Sequence, residues 1–190
     1  MIKVNKIYLF FVLFIFLVLI IPSNYTNASF IGVSPSILPS VNCSSGPSCG
    51  LVGYWTFDGR DMTGGVARDR SGNGNSGNLI NIASSTFYTL GKIGQGFNFD
   101  GVDDYVNVNS STSLSPSATI SMSAWIKPIQ QSSVTYMSII EKNLSYNMYI
   151  RQDGIVLFYL TGVNNWVTTS GAVNLFDGNW HHIVTTYNGT

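Results

Sequence analysis

Asp69, Ser71 and Asn73, followed by Gly74, reproduce the first half of a calcium loop of the D-x-[DN]-x-[DN]-G kind. A hard cation wants several oxygens from a tight turn, and the glycine supplies the turn. The twelfth position is Ile80 and not glutamate, so the remaining ligands must come from another segment. His181 and His182 are the only histidines. In a strand they point to opposite faces, so one ion cannot readily be gripped by both. The two cysteines, Cys43 and Cys49, enclose SSGPS. In an oxidising compartment such a pair favours a small disulfide loop. The alternative, a metal pair, lacks the second pair of thiols or imidazoles that a tetrahedral site needs.

These residues belong to a chain of 190 with 45% apolar and 13% aromatic side chains, enough for a substantial core. Charged residues are only 9%, against roughly 25% in an average domain. The surface must therefore be built from Ser, Thr, Asn and Gly. The formal net charge is zero and the basic residues do not cluster beyond Arg68 and Arg70, which argues against nucleic acid as a partner. At the N-terminus Lys3 and Lys6 precede an unbroken apolar run, Ile7 to Ile21, that Pro22 ends. The run is short for a membrane span, which needs about 20 residues. With Thr26-Asn27-Ala28 as a small-residue cleavage site, residues 1–28 read as a helical secretory signal peptide. The chain is thus expected to be secreted or displayed at the cell surface. An uncleaved membrane anchor is the competing reading. Removing Lys3 and Lys6 leaves 7 of the 9 Lys+Arg against 9 Asp+Glu, a charge of −2.

Residues 29–50 carry three prolines and no charge and read as a flexible linker holding the Cys43–Cys49 loop. From Leu51 the texture becomes alternating. LVGYWTF predicts an opening strand over 51–57; residues 58–77 read as loop; further strands are expected at 79–82, 97–100 and 105–108. The clearest alternation, TISMSAWIK over 119–127, places Ile120, Met122, Ala124 and Ile126 on one face. Pro128 closes it. Strands follow at 136–141, 146–151, 155–160, 166–169 and 180–187, and Asp153-Gly154 predicts a hairpin between 146–151 and 155–160. No stretch after residue 28 shows 3.6-residue periodicity. The pattern predicts an all-β fold, an antiparallel two-sheet sandwich or jelly roll over 51–190.

In that order GLVGYWTFDG, DRSGNGNSG, GKIGQGFNFDGVDDYVNV, TISMSAWIKP and GNWHHIVTTYNG resemble the laminin-G-like jelly-roll domains of the concanavalin A-like lectin/glucanase superfamily. The resemblance covers about Gly50 to Thr190. It implies an extracellular role in binding glycan or protein surface ligands, or in adhesion, within larger multi-module proteins. It also implies calcium near sheet-edge loops, for which Asp103 and Asp104 are the donors that would complete the Asp69, Ser71, Asn73 set. In such domains the strand matching WHHIVTTYNG is followed by further strands, so the sequence reads as an incomplete jelly roll. Glucanases of the superfamily carry two glutamates with an aspartate between them on one strand, because glycoside hydrolysis needs a carboxyl pair. Here Glu141 is the only glutamate, without an acidic residue within two positions, so no enzyme activity is expected. The expected role is a noncatalytic binding or adhesion module. The rival readings are a structural spacer of a larger surface protein and an accessory domain of a hydrolase. Trp55, Phe57, Phe97, Phe99 and Trp125 are expected mostly in the core. Among Tyr146, Tyr149, Tyr159 and Trp166, some are expected outward as sugar contacts.

Overall fold

The computed structural model describes residues 2–5, 14–16, 50–82, 88–116, 119–131, 134–162, 167–168 and 173–189. Cys43, Cys49, Trp166 and nearly all of the linker lie outside these. Of residues 1–28 only two short segments are described, β1 (Ile2–Asn5) and β2 (Phe14–Phe16). Both are strands, and the rest of the expected signal helix lies outside the described residues. The other strands are β3 (Tyr54–Trp55), β4 (Met62–Thr63), β5 (Val66–Ala67), β6 (Gly77–Ile80), β7 (Tyr88–Leu90), β8 (Gln95–Phe97), β9 (Tyr105–Val108), β10 (Ile120–Ile126), β11 (Tyr136–Lys142), β12 (Tyr146–Arg151), β13 (Val156–Leu160), β14 (Val167–Thr168) and β15 (His181–Tyr187).

Among the described residues these strands form a larger sheet, ordered β14-β13-β12-β11-β1-β9-β6-β5-β4, and a smaller one, β15-β10-β2-β3. A separate β7–β8 ribbon stands beside them. Every pairing is antiparallel. The two sheets share one core. Val106 and Val108 of β9, Met137 of β11, and Tyr146, Met148 and Ile150 of β12 enter it from the larger sheet. Ile120, Met122, Ala124, Ile126 and Ile183 enter it from the smaller. The Thr185 hydroxyl reaches the Met148 sulfur at 3.8 Å, joining β15 to β12 across the layers. The expected all-β, antiparallel architecture is therefore observed.

Alternation explains each strand. In β10 the four apolar residues face the core while Ser121 and Trp125 are only partly buried. In β12 the buried and half-buried positions alternate strictly over six residues. β12 and β13 turn at Asp153-Gly154. Gly154 sits at φ 84° and donates its N–H to the Arg151 carbonyl at 2.8 Å. Only glycine takes that left-handed conformation cheaply. At Gly77 the reason for glycine is different: a Cβ would lie 2.4 Å from Val106 Cγ1 on the neighbouring strand.

Several boundaries move. The opening strand shortens to Tyr54–Trp55 because Phe57 adopts φ 54°, a left-handed turn that ends the extended run. Its ring is held edge-on against Phe97 (5.0 Å) and Phe99 (6.3 Å), so the aromatic cluster fixes the turn. The segment expected as loop, 58–77, contains β4 and β5, a tight hairpin around Gly64-Gly65. Phe99 is buried but lies beyond the end of β8. Lys142, 7% exposed, is oriented inward at the end of β11. Its ammonium donates to the Leu114 carbonyl at 2.8 Å and to Ser115 Oγ, while Tyr146 Oη donates to the same carbonyl at 3.1 Å. Burial pushes the lysine pKa down. Together they fasten loop 111–116 to the larger sheet.

Met148→Ala is expected to lower unfolding free energy by about 2–5 kcal/mol, because it empties a site that touches both layers. Urea titration of the purified full chain measures it. A loss under about 0.5 kcal/mol would mean that residue 148 lies at the surface.

Candidate binding face and acidic turn

The alternation that buries Tyr146, Met148 and Ile150 turns Asn147, Tyr149 and Arg151 to the opposite face of β12. The neighbouring strands do the same. In register, Glu141 of β11 and Tyr159 of β13 flank Asn147, and Ser138 and Leu157 flank Tyr149. Tyr136 lies beside Arg151, with its ring 6.4 Å from that of Tyr149. The outer face of β11–β13 thus carries tyrosines, an amide, one carboxylate and an arginine, with Ser138 and Leu157 buried beside Tyr149. Further along the same row, Asn107 of β9 lies level with Glu141, with Lys3 of β1 between them.

Two features mark this face. The Oδ1 atoms of Asn107 and Asn147 are buried and accept no hydrogen bond from the described residues, an arrangement that costs free energy. Second, Tyr149 is pushed up to about 12 by burial and by the charge of Glu141, so its phenol stays protonated and can donate. Ser138 Oγ donates to Glu141 Oε2 at 3.4 Å. The ladder neighbours of Glu141 are Lys3 and Asn147, and neither is a carboxylate.

The first half of the expected calcium loop is a hydrogen-bonded knot. Asp69 Oδ1 accepts from the backbone N–H groups of Tyr54 and Ser71, at 2.9 and 2.8 Å. Its Oδ2 accepts from Ser71 Oγ at 2.7 Å and from the Asn75 N–H at 2.9 Å. Four donors take up the roughly four lone-pair directions of a carboxylate. Asn73 donates its amide to the Leu51 carbonyl at 2.7 Å. Asn75 donates to the Val52 carbonyl and to Ser113 Oγ, and accepts from Ser111 Oγ. Arg70 and the buried Asp61 form an ion pair at 2.8 Å. The loop therefore ties β3 and the segment before it to loop 111–115.

Asp103 and Asp104 are brought together instead with Asp100, a residue that the sequence reading did not single out. One oxygen from each lies within 4.8 Å of the others. Asp69 is not in that group. The turn is shaped by Asp100 Oδ1, which accepts from the Val102 and Asp103 N–H groups at 2.7 and 3.3 Å, and by Asp104 Oδ2, which accepts from the Asp100 N–H at 2.8 Å. Asn81 donates to Asp103 at 2.9 Å. Asp104 is buried, and burial raises its pKa; the like charges of Asp100 and Asp103 raise it further, against the opposing hydrogen bond. The signal that could have included Asp100 is its spacing, D-G-x-D-D, which folds three carboxyls around one glycine turn at φ 75°.

The histidines separate as a strand requires. His181 pairs with Asp177 at 2.8 Å, and the bond holds Asp177 at about 2. His182 points the other way, bonded to Ser123 Oγ at 2.7 Å and stacked 4.9 Å from Trp125; burial pushes its pKa down. A cleft at the end of the two sheets is lined by apolar Ile120, Leu144 and Leu160 together with Thr119, Ser145 and Thr161, and the Tyr146 hydroxyl at its edge donates to the Leu114 carbonyl.

Comparison with protein families matches residues 100–190, just under half of the chain, to a laminin-G model of the concanavalin A-like lectin/glucanases superfamily. The matched part holds the acidic turn, β9 to β13 and β15, and hence the whole outer patch. Curated proteins give no match, and solved structures give none.

For an acid whose folded pKa is raised, ionisation costs stability, and the cost grows as pH rises through the folded value. Asp104→Asn keeps the acceptor for the Asp100 N–H and removes the charge. In chelator at pH 7 it is expected to raise the melting temperature over that of the parent chain, with the difference vanishing toward pH 3. A lower melting temperature at pH 7 would show that the carboxylate is stabilising.

Proposed function

We propose, from the premise that residues 100–190 carry a concanavalin A-like lectin/glucanase domain, that the chain is an exported, noncatalytic jelly-roll module that binds a glycan across the outer face of β11–β13. The single observation that supports this most is the partly exposed row of Glu141, Asn147 and Tyr159 with Tyr149 on the same outer face. A sugar offers hydroxyl donors for amide and carboxylate oxygens and a C–H surface that lies against aromatic rings. The reading as noncatalytic follows from chemistry: hydrolysis needs two carboxyls at a set separation, and Glu141 has no carboxyl beside it in the ladder. Export follows from the leader-like residues 1–28 and from the low charge of the chain.

Pull-down on a panel of insoluble and immobilised polysaccharides, followed by titration of the ligand found, tests the reading. Tyr149→Ala and Asn147→Ala are each expected to weaken binding about tenfold or more, with the melting temperature shifted by no more than a few degrees. Retention of full affinity in both would move the site elsewhere. Absence of binding to any polysaccharide would favour the spacer role.

We also propose calcium at the turn of Asp100, Asp103 and Asp104, where three carboxylate oxygens converge and one of them carries a burial penalty that a cation would relieve. The Asp69, Ser71 and Asn73 segment then acts as scaffold. Millimolar calcium is expected to raise the melting temperature over that in chelator, because a ligand of the native state stabilises it. Asp103→Asn should abolish the rise. An unchanged midpoint in the parent chain would remove calcium from the account.

A further inference from the structure

The two segments described from the leader-like N-terminus lie inside the sheets and not at their edges. β1 sits between β9 and β11, with Ile2 level with Val108 and Lys142, and Lys3 level with Asn107 and Glu141. β2 sits between β10 and β3, with Ile15 level with Ala124 and Trp55. Each is antiparallel to both neighbours. Without β1 the larger sheet divides into β11–β14 and β4–β6 with β9; without β2 the smaller one divides into β10 with β15 and a lone β3. The flanking strands are then about 9.6 Å apart, two strand spacings, too far for their N–H and C=O groups to meet. Four strand edges would stand open around one core, which is a strong template for strand addition.

We infer that these two interior positions are strand-accepting slots, and that in the exported domain, after leader removal, they are taken by an extended polypeptide segment other than the leader. The register gives its chemistry. At the level of Ile2 and Val4 the flanking residues Val108, Lys142 and Val106 turn inward and are buried, so the occupant is apolar there. At the level of Lys3 the neighbours are the outward Asn107 and Glu141, so it is polar or cationic there. In the smaller sheet, Ala124 and Trp55 are buried on either side of the Ile15 level, so that slot takes an apolar residue. The partner is thus a polypeptide that alternates apolar and polar residues and adds by main-chain pairing. The inference rests on the removal of residues 1–28 and is independent of what the outer face binds.

A full-length chain with a specific protease site inserted between Ala28 and Ser29 tests it. After cutting, a fluorescent peptide with the sequence of residues 2–16 serves as the probe for an extended segment of this pattern. The peptide is expected to displace the cut leader and bind saturably. A peptide carrying Val4→Pro and Ile15→Pro, which cannot complete the ladders, should bind about tenfold more weakly or worse. The stripped body should melt at least about 5 °C lower than the peptide-loaded one. Equal binding of the proline peptide, or a stripped body with an undiminished melting temperature, would overturn the inference. So would a body that closes into an oligomer and refuses the peptide, since the occupant is then a second copy. A leader that no peptide displaces, or secreted chain that still begins at Met1, would equally overturn it by making the N-terminal strands permanent.

Discussion

The two-residue period of the strand is the constraint on which everything else here depends. A six-residue segment such as β12 cannot bury Tyr146, Met148 and Ile150 against the opposite layer without presenting Asn147, Tyr149 and Arg151 on the other side. The core and the outer face are therefore one decision. A shift of one residue in the pairing of β11 with β12 would put Asn147 in the core and Met148 in solvent, at a cost no domain of ordinary stability could bear. The irregularity between Ser138 and Ile140 shows how the pattern is kept: the ladder gains a residue there, so that both Met137 and Ile140 are buried while Glu141 still faces out.

Several loops are fixed by polar groups as well as by buried apolar residues such as Phe99 and Leu114. Asp69 gathers four donors, Asn75 links Val52, Ser111 and Ser113, and Lys142 with Tyr146 captures the Leu114 carbonyl. These connections are satisfied, which is the usual fate of a buried polar group. Against that background the buried amide oxygens of Asn107 and Asn147 stand out as unpartnered among the described residues.

Much of this was legible in the sequence from β9 onward, whereas the strands expected at 51–57, 79–82 and 97–100 are found at 54–55, 77–80 and 95–97. β9 and β12 have the expected bounds, β11, β13 and β15 differ from them by a residue, and β10 is one residue shorter at each end. Two-residue strands such as β4 and β5 carry no period to read, and Phe57 ends its strand through a backbone conformation that an aromatic residue rarely takes. The partial calcium pattern at Asp69 could be seen, but not the donors from Tyr54 and Asn75 that occupy it, since these depend on contacts across the fold. The opposite orientation of His181 and His182 followed from strand geometry alone. The outer patch was only half visible: Tyr149 and Tyr159 could be named, while Asn147 gains its meaning from the burial of one atom.

Cysteine scanning along β12 tests the alternation most directly. In a chain with Cys43 and Cys49 replaced by serine, single cysteines at positions 146 to 151 are exposed to a thiol reagent under native conditions. Fast labelling at 147, 149 and 151 with protection at 146, 148 and 150 is the predicted result. Uniform labelling, or protection recurring every three to four residues, would contradict the two-layer fold and the face derived from it.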